Sequence, residues 1–319
     1  MSSRYKMGQK EQIEKNKYYI MDPTGNITIL VEGDVPADER GAVAAKLMES
    51  EPTAEQVGFV SYTPSHAECA GAEEETGAVG YTEREENIGT GHADAEGKTE
   101  AGHADITLRM AGGEFCGNAT MSAAVLAVHL GKVKVPAKGE KSYNISVSAS
   151  GAKGIRKVRV EANDNGSYTG TVDMPRPLSI KKERLPFEGA EYELTVVDFG
   201  GIAHVICEAG QFPFLLSNTK MPAERAVMEW CELLHAECLG LMIYDSEQGR
   251  LDPLVYVPNA GTLVWESSCA SGTTALGAYL SEKDRRPVSL DISEPGGTLC
   301  ITAEPEGKLM LTGNVRVIK

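Results

Sequence analysis

The chain has 319 residues and a mass of 34.1 kDa, with 46 Asp and Glu against 31 Lys and Arg, a net charge of −15. That length suits two domains of ordinary size, and the acidic balance disfavours a nucleic-acid partner, whose phosphates it would repel. The longest apolar runs fall far short of the roughly 18–20 residues needed to span a bilayer, so no membrane partner is expected.

Residues 1–16 are polar and basic and read as a solvated tail without the apolar stretch of a secretory signal. Tyr18 to Met21 and Asn26 to Val31 read as strands either side of a tight corner at Asp22-Pro23-Thr24-Gly25. Ala37 to Glu49 reads as a short helix and Gln56 to Tyr62 as a strand. Composition then shifts. Residues 64–105 carry eleven acids and two bases, repeat Gly-His-Ala-Asp at 91–94 and 102–105, and read as an acidic insertion. His66, His92 and His103 lie in or beside its acidic runs, but their spacing is not that of a metal site, and no metal is expected.

Ile106 to Met110 reads as a strand, followed by a turn and Glu114-Phe115-Cys116-Gly117-Asn118-Ala119-Thr120 at the head of an apolar helix that stops at Gly131. Lys141 to about Ile180 alternates as strands with turns at Gly151, Gly154 and Asn163 to Gly166. Strands at 193–197 and 203–207 flank Asp198-Phe199-Gly200-Gly201. A helix at Ala223 to Leu234 and strands at 239–244 and 254–257 follow. Ser268-Cys269-Ala270-Ser271-Gly272-Thr273 then opens a second small-residue helix, and short strands close the chain.

The two cysteine segments rhyme. Each has Cys, three small residues and Thr four positions on, after a strand and before an Ala-rich helix, and they lie 153 residues apart. A repeat of that period points to two similar halves rather than a solenoid. The first turn of a helix has unpaired N–H groups and the positive end of the dipole. A thiol placed there is expected to have a depressed pKa, and the free N–H groups suit a carboxylate. If the halves pack about a pseudo-twofold axis, Cys116 and Cys269 flank the α-carbon of an amino acid bound between the helices. One thiolate would remove the α-proton and the opposite thiol would return one to the other face, without a cofactor. Cys207, Cys231, Cys238 and Cys300 read as core thiols. The seven cysteines form no Cys-x-x-Cys pair, which suits a reducing cytoplasm.

The two cysteine segments resemble the catalytic motifs of the diaminopimelate epimerase family of cofactor-independent racemases and epimerases. Thr24-Gly25-Asn26, Gln56-Val57-Gly58, Gly201-Ile202-Ala203-His204 and Thr312-Gly313 resemble weaker family features. The resemblance implies an α+β fold of two pseudo-symmetric domains, each an antiparallel sheet around a central helix, with the site in the cleft between them. The implied boundaries are 17–138, completed by 308–319, and 139–307. It implies Cys116 and Cys269 as the acid–base pair, Gly117, Asn118, Ala270 and Ser271 as the carboxylate cradle, and Asn26, Gln56, Glu266 and His204 as further contacts. Glu266 reads equally as a surface residue before a helix, and His204 as a core histidine.

The family's polar set for the distal end of diaminopimelate is missing: Ile202 and Met110 stand near asparagine positions, and 256–261 lacks the expected Glu-Arg. Trp265-Glu266-Ser267-Ser268 resembles the histidine racemase branch, which makes a free amino acid such as histidine the expected substrate and a monomer or homodimer the expected assembly. Three other readings stay open: a diaminopimelate epimerase, an isomerase of the phenazine-biosynthesis type on the same fold, which uses carboxylates, and a non-catalytic metal- or ligand-binding protein built on the acidic His-containing loop.

Overall fold

The computed structural model describes residues 17–63, 104–134, 136, 140–210 and 220–319. The acidic insertion with His66, His92 and His103 lies almost wholly outside the described residues, as does the tail.

The elements in chain order are β1 (Tyr18–Pro23), β2 (Thr28–Glu32), α1 (Ala37–Ser50), β3 (Gln56–Tyr62), β4 (Ile106–Met110), α2 (Gly117–His129), β5 (Ser142–Ala149), β6 (Arg156–Ala162) and β7 (Tyr168–Asp173). Then come β8 (Ser179–Phe187), β9 (Ala190–Asp198), β10 (Ala203–Glu208), α3 (Met221–Leu233), β11 (Leu239–Asp245), β12 (Arg250–Val257) and β13 (Thr262–Trp265). The chain closes with α4 (Ala270–Asp284), β14 (Val288–Glu294), β15 (Gly297–Ala303) and β16 (Leu309–Val317).

Strands β1 to β7 run in order and β16 joins β7 back to β1, closing a ring around α2. From β16 the sheet continues through β15, β14, β12, β11, β10 and β9 to β8 at its edge, curving around α4. The two halves repeat one pairing pattern. β2–β3 and β4–β5 are parallel in the first, as β10–β11 and β12–β14 are in the second; the steps between are antiparallel. The sheets are therefore mixed, not antiparallel as expected. Each parallel step needs a crossover, and helices α1, α2, α3 and α4 stand at the four crossovers.

Strands β5 to β7, residues 142–173, pair within the first ring, which closes through β16. Strand pairing is non-local, so alternation alone did not say which sheet they join.

Helix α2 is buried from Gly117 through Ala127 and α4 over most of Ala270 to Ser281. A helix encircled by a sheet must be apolar or small all round, and Ala, Gly, Ser and Thr keep these two thin enough to be enclosed. One core runs through both halves, from Leu30, Leu108 and Leu126 to Leu276, Leu299 and Ile301. Helix α1 covers β3 from outside, with Val43, Ala44 and Leu47 buried. Helix α3 does the same for β11 and β12, anchored by Trp230, whose Nε1 donates to the Pro186 carbonyl at 2.8 Å.

The halves are tied at the β1–β2 corner. Thr24 has φ 56°, a costly region for a β-branched residue. It is held there by hydrogen bonds from its N–H and hydroxyl to the Asn314 carbonyl at 2.8 and 3.1 Å. A Cβ added to Gly25 would lie 2.4 Å from the Gly296 Cα, so the corner seats backbone against backbone on the β14–β15 turn.

Candidate active site

Helix α2 begins at Cys116 and helix α4 at Cys269. Both cysteines are N-caps in extended conformation, and each sulfur accepts the backbone N–H three residues on: Ala119 at 3.3 Å and Gly272 at 3.4 Å. The echo in sequence is therefore an echo in geometry. Small residues follow each cysteine because the two helix starts abut: a Cβ built on Gly117 would lie 2.8 Å from the Ala270 Cβ. The N–H groups of Gly117, Asn118, Ala270 and Ser271 belong to first turns, where no intrahelical acceptor exists. The Asn118 Nδ2 donates across the junction to the Ser268 carbonyl at 3.0 Å, and the Ser268 hydroxyl donates to the Pro23 carbonyl at 3.3 Å.

Both cysteines open onto one cavity of about 180 Å³. Nine of the ten expected residues line it: Asn26, Gln56, Cys116, Gly117, Asn118, Glu266, Cys269, Ala270 and Ser271. Gln56, at the start of β3, accepts from the Cys116 thiol through Oε1 at 2.9 Å. Its Nε2 donates to Asn26 Oδ1 at 2.5 Å and to the Thr28 hydroxyl at 2.9 Å, which fixes the amide's orientation.

His204 is the exception. It is fully buried, neither ring nitrogen has a hydrogen-bond partner, and its ring stands edge-on to Phe199 at 6.0 Å between centroids. It lies over Gly240, whose added Cβ would meet Nδ1 at 2.2 Å. The period of two puts it on the same face of β10 as Ile206, inside the core. Burial holds its imidazole neutral, down to about 3. It packs within the core and does not line the cavity.

Sequence reasoning missed three carboxylates. Glu55 and Glu114 line the cavity with Glu266. Glu55 accepts from Asn26 Nδ2 at 2.6 Å and from the Ser267 N–H at 3.1 Å. Glu294, at the end of β14, accepts from the Cys269 N–H at 2.7 Å and from the Thr273 hydroxyl. Acidic residues beside strands and turns read as solvated; the available signal was that Glu55 and Glu114 stand one and two positions before singled-out residues. Among the described residues, the cavity wall holds no Lys, Arg or His.

That charge reverses one expectation. Burial, and then the charges of Glu266 and Glu114, push the Cys116 thiol up to about 12 against the lowering effect of the Ala119 N–H. Burial and the charges of Glu266 and Glu294 push Cys269 well above the usual thiol range. The helix termini do act on the sulfurs, but desolvation beside carboxylates outweighs them. Burial likewise raises Glu266 and Glu294, each to about 8, and raises Glu55 and Glu114.

The halves differ in their walls. Strand register makes Thr28 and Gln56 the counterparts of Ala203 and Leu239. The first half thus has Glu55 and Gln56 where the second has Cys238 and Leu239.

A family model described as the histidine racemase CntK N-terminal domain matches residues 92–318, which include both cysteine helices. The chain belongs to the histidine racemase family. It is an amino-acid racemase, and so an isomerase. A histidine racemase of Fusobacterium nucleatum subsp. nucleatum is 28% identical over 93% of this chain and 92% of that protein. One of Staphylococcus aureus is 25% identical over 92% of this chain and 90% of its own. The fold is shared with a probable proline racemase from Agrobacterium radiobacter at a TM-score of 0.62 and 13% identity, covering 95% of this chain and 91% of that one. It is also shared with a PhzF-family phenazine biosynthesis protein of Bacillus anthracis at 0.58 and 15%, covering 95% and 96%. Among the described residues of this racemase, no helix is long and apolar enough to cross a membrane.

Proposed function

We propose that this racemase inverts free histidine by proton transfer between Cys116 and Cys269, without a cofactor. The carrying observation is that the two cysteines cap two helices whose first residues touch, in one cavity, each sulfur seated identically on its own helix. The repeat of the halves and the resemblance to the diaminopimelate epimerase family support the same reading.

The α-carboxylate is placed at the paired helix starts, on the N–H groups of Gly117, Asn118, Ala270 and Ser271. The α-ammonium meets Asn118 Oδ1, which is buried and has no partner in the protein, and the neighbouring carboxylates. A thiolate on one face takes the α-proton, so an S–H bond forms as the C–H bond breaks. The carbanion's charge spreads into the carboxylate, where the helix N–H groups stabilise it. The opposite thiol gives its proton to the other face and becomes the thiolate. The pair ends with the proton on the opposite sulfur.

The acidic wall supports a substrate that brings positive charge in addition to its ammonium. A cation entering beside Glu55, Glu114 and Glu266 offsets the charge that holds the thiols protonated. An imidazole, which gains a proton near neutrality, supplies that cation. The names of the two relatives point to the same amino acid. Incubation with L-histidine, D-histidine and LL-diaminopimelate, followed by chiral chromatography, tests the substrate. Racemisation of histidine from either side is expected; epimerisation of diaminopimelate with histidine untouched would contradict it.

A further inference from the structure

The two thiols are seated alike but not surrounded alike. Register defines the difference. Tyr62 pairs with Ile106 and Ile106 with Val147 in the first half; Asp245 pairs with Arg250 and Arg250 with Ser293 in the second. One residue further on, Ser148 occupies the place of Glu294. Only the α4 helix start therefore has a carboxylate behind it.

Glu294 is 5% exposed. Its two oxygens take the Cys269 N–H and the Thr273 hydroxyl, both in the first turn of α4. Once it ionises, at about 8, its buried charge opposes the helix dipole at the residue where a thiolate would form. In α2 the corresponding threonine, Thr120, donates instead to the Cys116 carbonyl at 2.7 Å. Cys116 faces the neutral amide of Gln56, with the charges of Glu266 and Glu114 acting on it from the cavity wall. Cys269 faces Glu294 behind, Glu266 across its sulfur and the Ser271 hydroxyl at 3.5 Å. Glu294 is in turn faced by Glu266 and Asp252.

We propose that Glu294 is a positioning residue that makes Cys269 the harder thiol of the pair to ionise, so that when the pair gives up one proton it leaves Cys116, and the proton retained is the one on Cys269. This rests on the two-thiol reading above. It breaks the symmetry of a reaction that the repeat of the halves would otherwise leave even: the singly ionised pair is set to accept the enantiomer whose α-proton faces Cys116, and the other enantiomer requires the proton to be relocated first.

The test is the pH profile of alkylation at each cysteine, read by mass spectrometry after short iodoacetamide pulses on the full chain. In the unmodified protein the midpoint of Cys269 is expected above that of Cys116. In Glu294→Gln, whose amide still fits between the Cys269 N–H and the Thr273 hydroxyl, the Cys269 midpoint is expected to fall by about one unit or more while Cys116 stays in place. Glu294→Asp, which keeps the charge, is expected to hold the Cys269 midpoint near its original value. A Cys269 midpoint unmoved by Glu294→Gln overturns the proposal; so does a Cys269 midpoint below that of Cys116 in the unmodified protein, a result that needs no variant to fold. Failure of the two-thiol reading is recognised separately, by racemisation in the cysteine-to-serine variants, which does not depend on these midpoints.

Discussion

Gly117 and Ala270, the first residues of the two enclosed helices, meet across the junction of the halves: an added Cβ on Gly117 would lie 2.8 Å from the Ala270 Cβ and 2.9 Å from the Met174 Cε. The contact sets how far apart the two sulfurs sit, because each cysteine immediately precedes one of the touching residues.

A methyl group at position 117 has to push the helix starts apart. For Gly117→Ala we expect an overpacking cost of about 1–3 kcal/mol in stability. Activity should suffer more, because a displacement near 1 Å at a proton-transfer site costs about 10²-fold. Thermal melts alongside kcat/KM check both; unchanged kcat/KM would mean that the spacing does not matter.

The buried carboxylates give stability an inverted dependence on pH. Glu266 and Glu294 ionise near 4.5 ordinarily and at about 8 in the fold. Between those values the folded protein keeps protons that the unfolded chain has lost, so stability falls as pH rises through the window. The melting temperature of the unliganded protein should decline from about pH 5 to about pH 8, and Glu266→Gln or Glu294→Gln should flatten the slope. A melting temperature that climbs over that range would count against the placement of these groups.

Glu266 lines the cavity, and its charge acts on Cys269. If it holds a cationic group of the substrate, Glu266→Gln removes a charge-assisted hydrogen bond of about 1.5–3 kcal/mol, or roughly 10- to 100-fold in kcat/KM. Loss of the charge should also ease ionisation of both thiols, shifting the alkaline side of the rate profile. Steady-state kinetics across pH measures both effects, and an unaltered profile would argue that Glu266 only fills space.

The mechanism assigns acid, base and charge stabilisation to this chain's own groups. Exhaustive dialysis against EDTA, and treatment with hydroxylamine to trap a carbonyl cofactor, should leave racemisation at its starting rate. Activity lost to the chelator and restored by one particular metal would contradict the account.

The parts of this site that were legible in sequence are those where local chemistry and fold agree. A cysteine, a run of small residues and an Ala-rich helix announce a helix start that something approaches closely, and the pattern occurs twice. The corner at Asp22 to Gly25 was equally plain, because Asp22 Oδ1 takes the Gly25 N–H at 2.6 Å, a bond within one turn. What stayed hidden depends on distant pairing or breaks a local rule. Residues 142–173 alternate as strands whichever sheet they join, and only β16 returning from the far end of the chain settles it. Glu55, Glu114 and Glu294 look like surface acids because burying a carboxylate is costly; their partners come from residues such as Ser267 and Thr273, far away or on another element. The rise in both thiol pKa values follows first from burial and then from Glu266, with the hidden Glu114 adding to it at Cys116 and the hidden Glu294 at Cys269.

The central claim is that two thiols, one on each face of the substrate, carry the proton. Its most direct test is histidine in deuterium oxide with the Cys116→Ser and Cys269→Ser variants, following both chiral inversion and deuterium uptake at the α-carbon. The account predicts that neither variant racemises, since a serine hydroxyl is too weak an acid to share the task. It also predicts that each variant exchanges the α-proton of one enantiomer without inverting it, and that the two variants choose opposite enantiomers. Racemisation by both variants near the unmodified rate would contradict it, and would make the two helix-capping cysteines core residues.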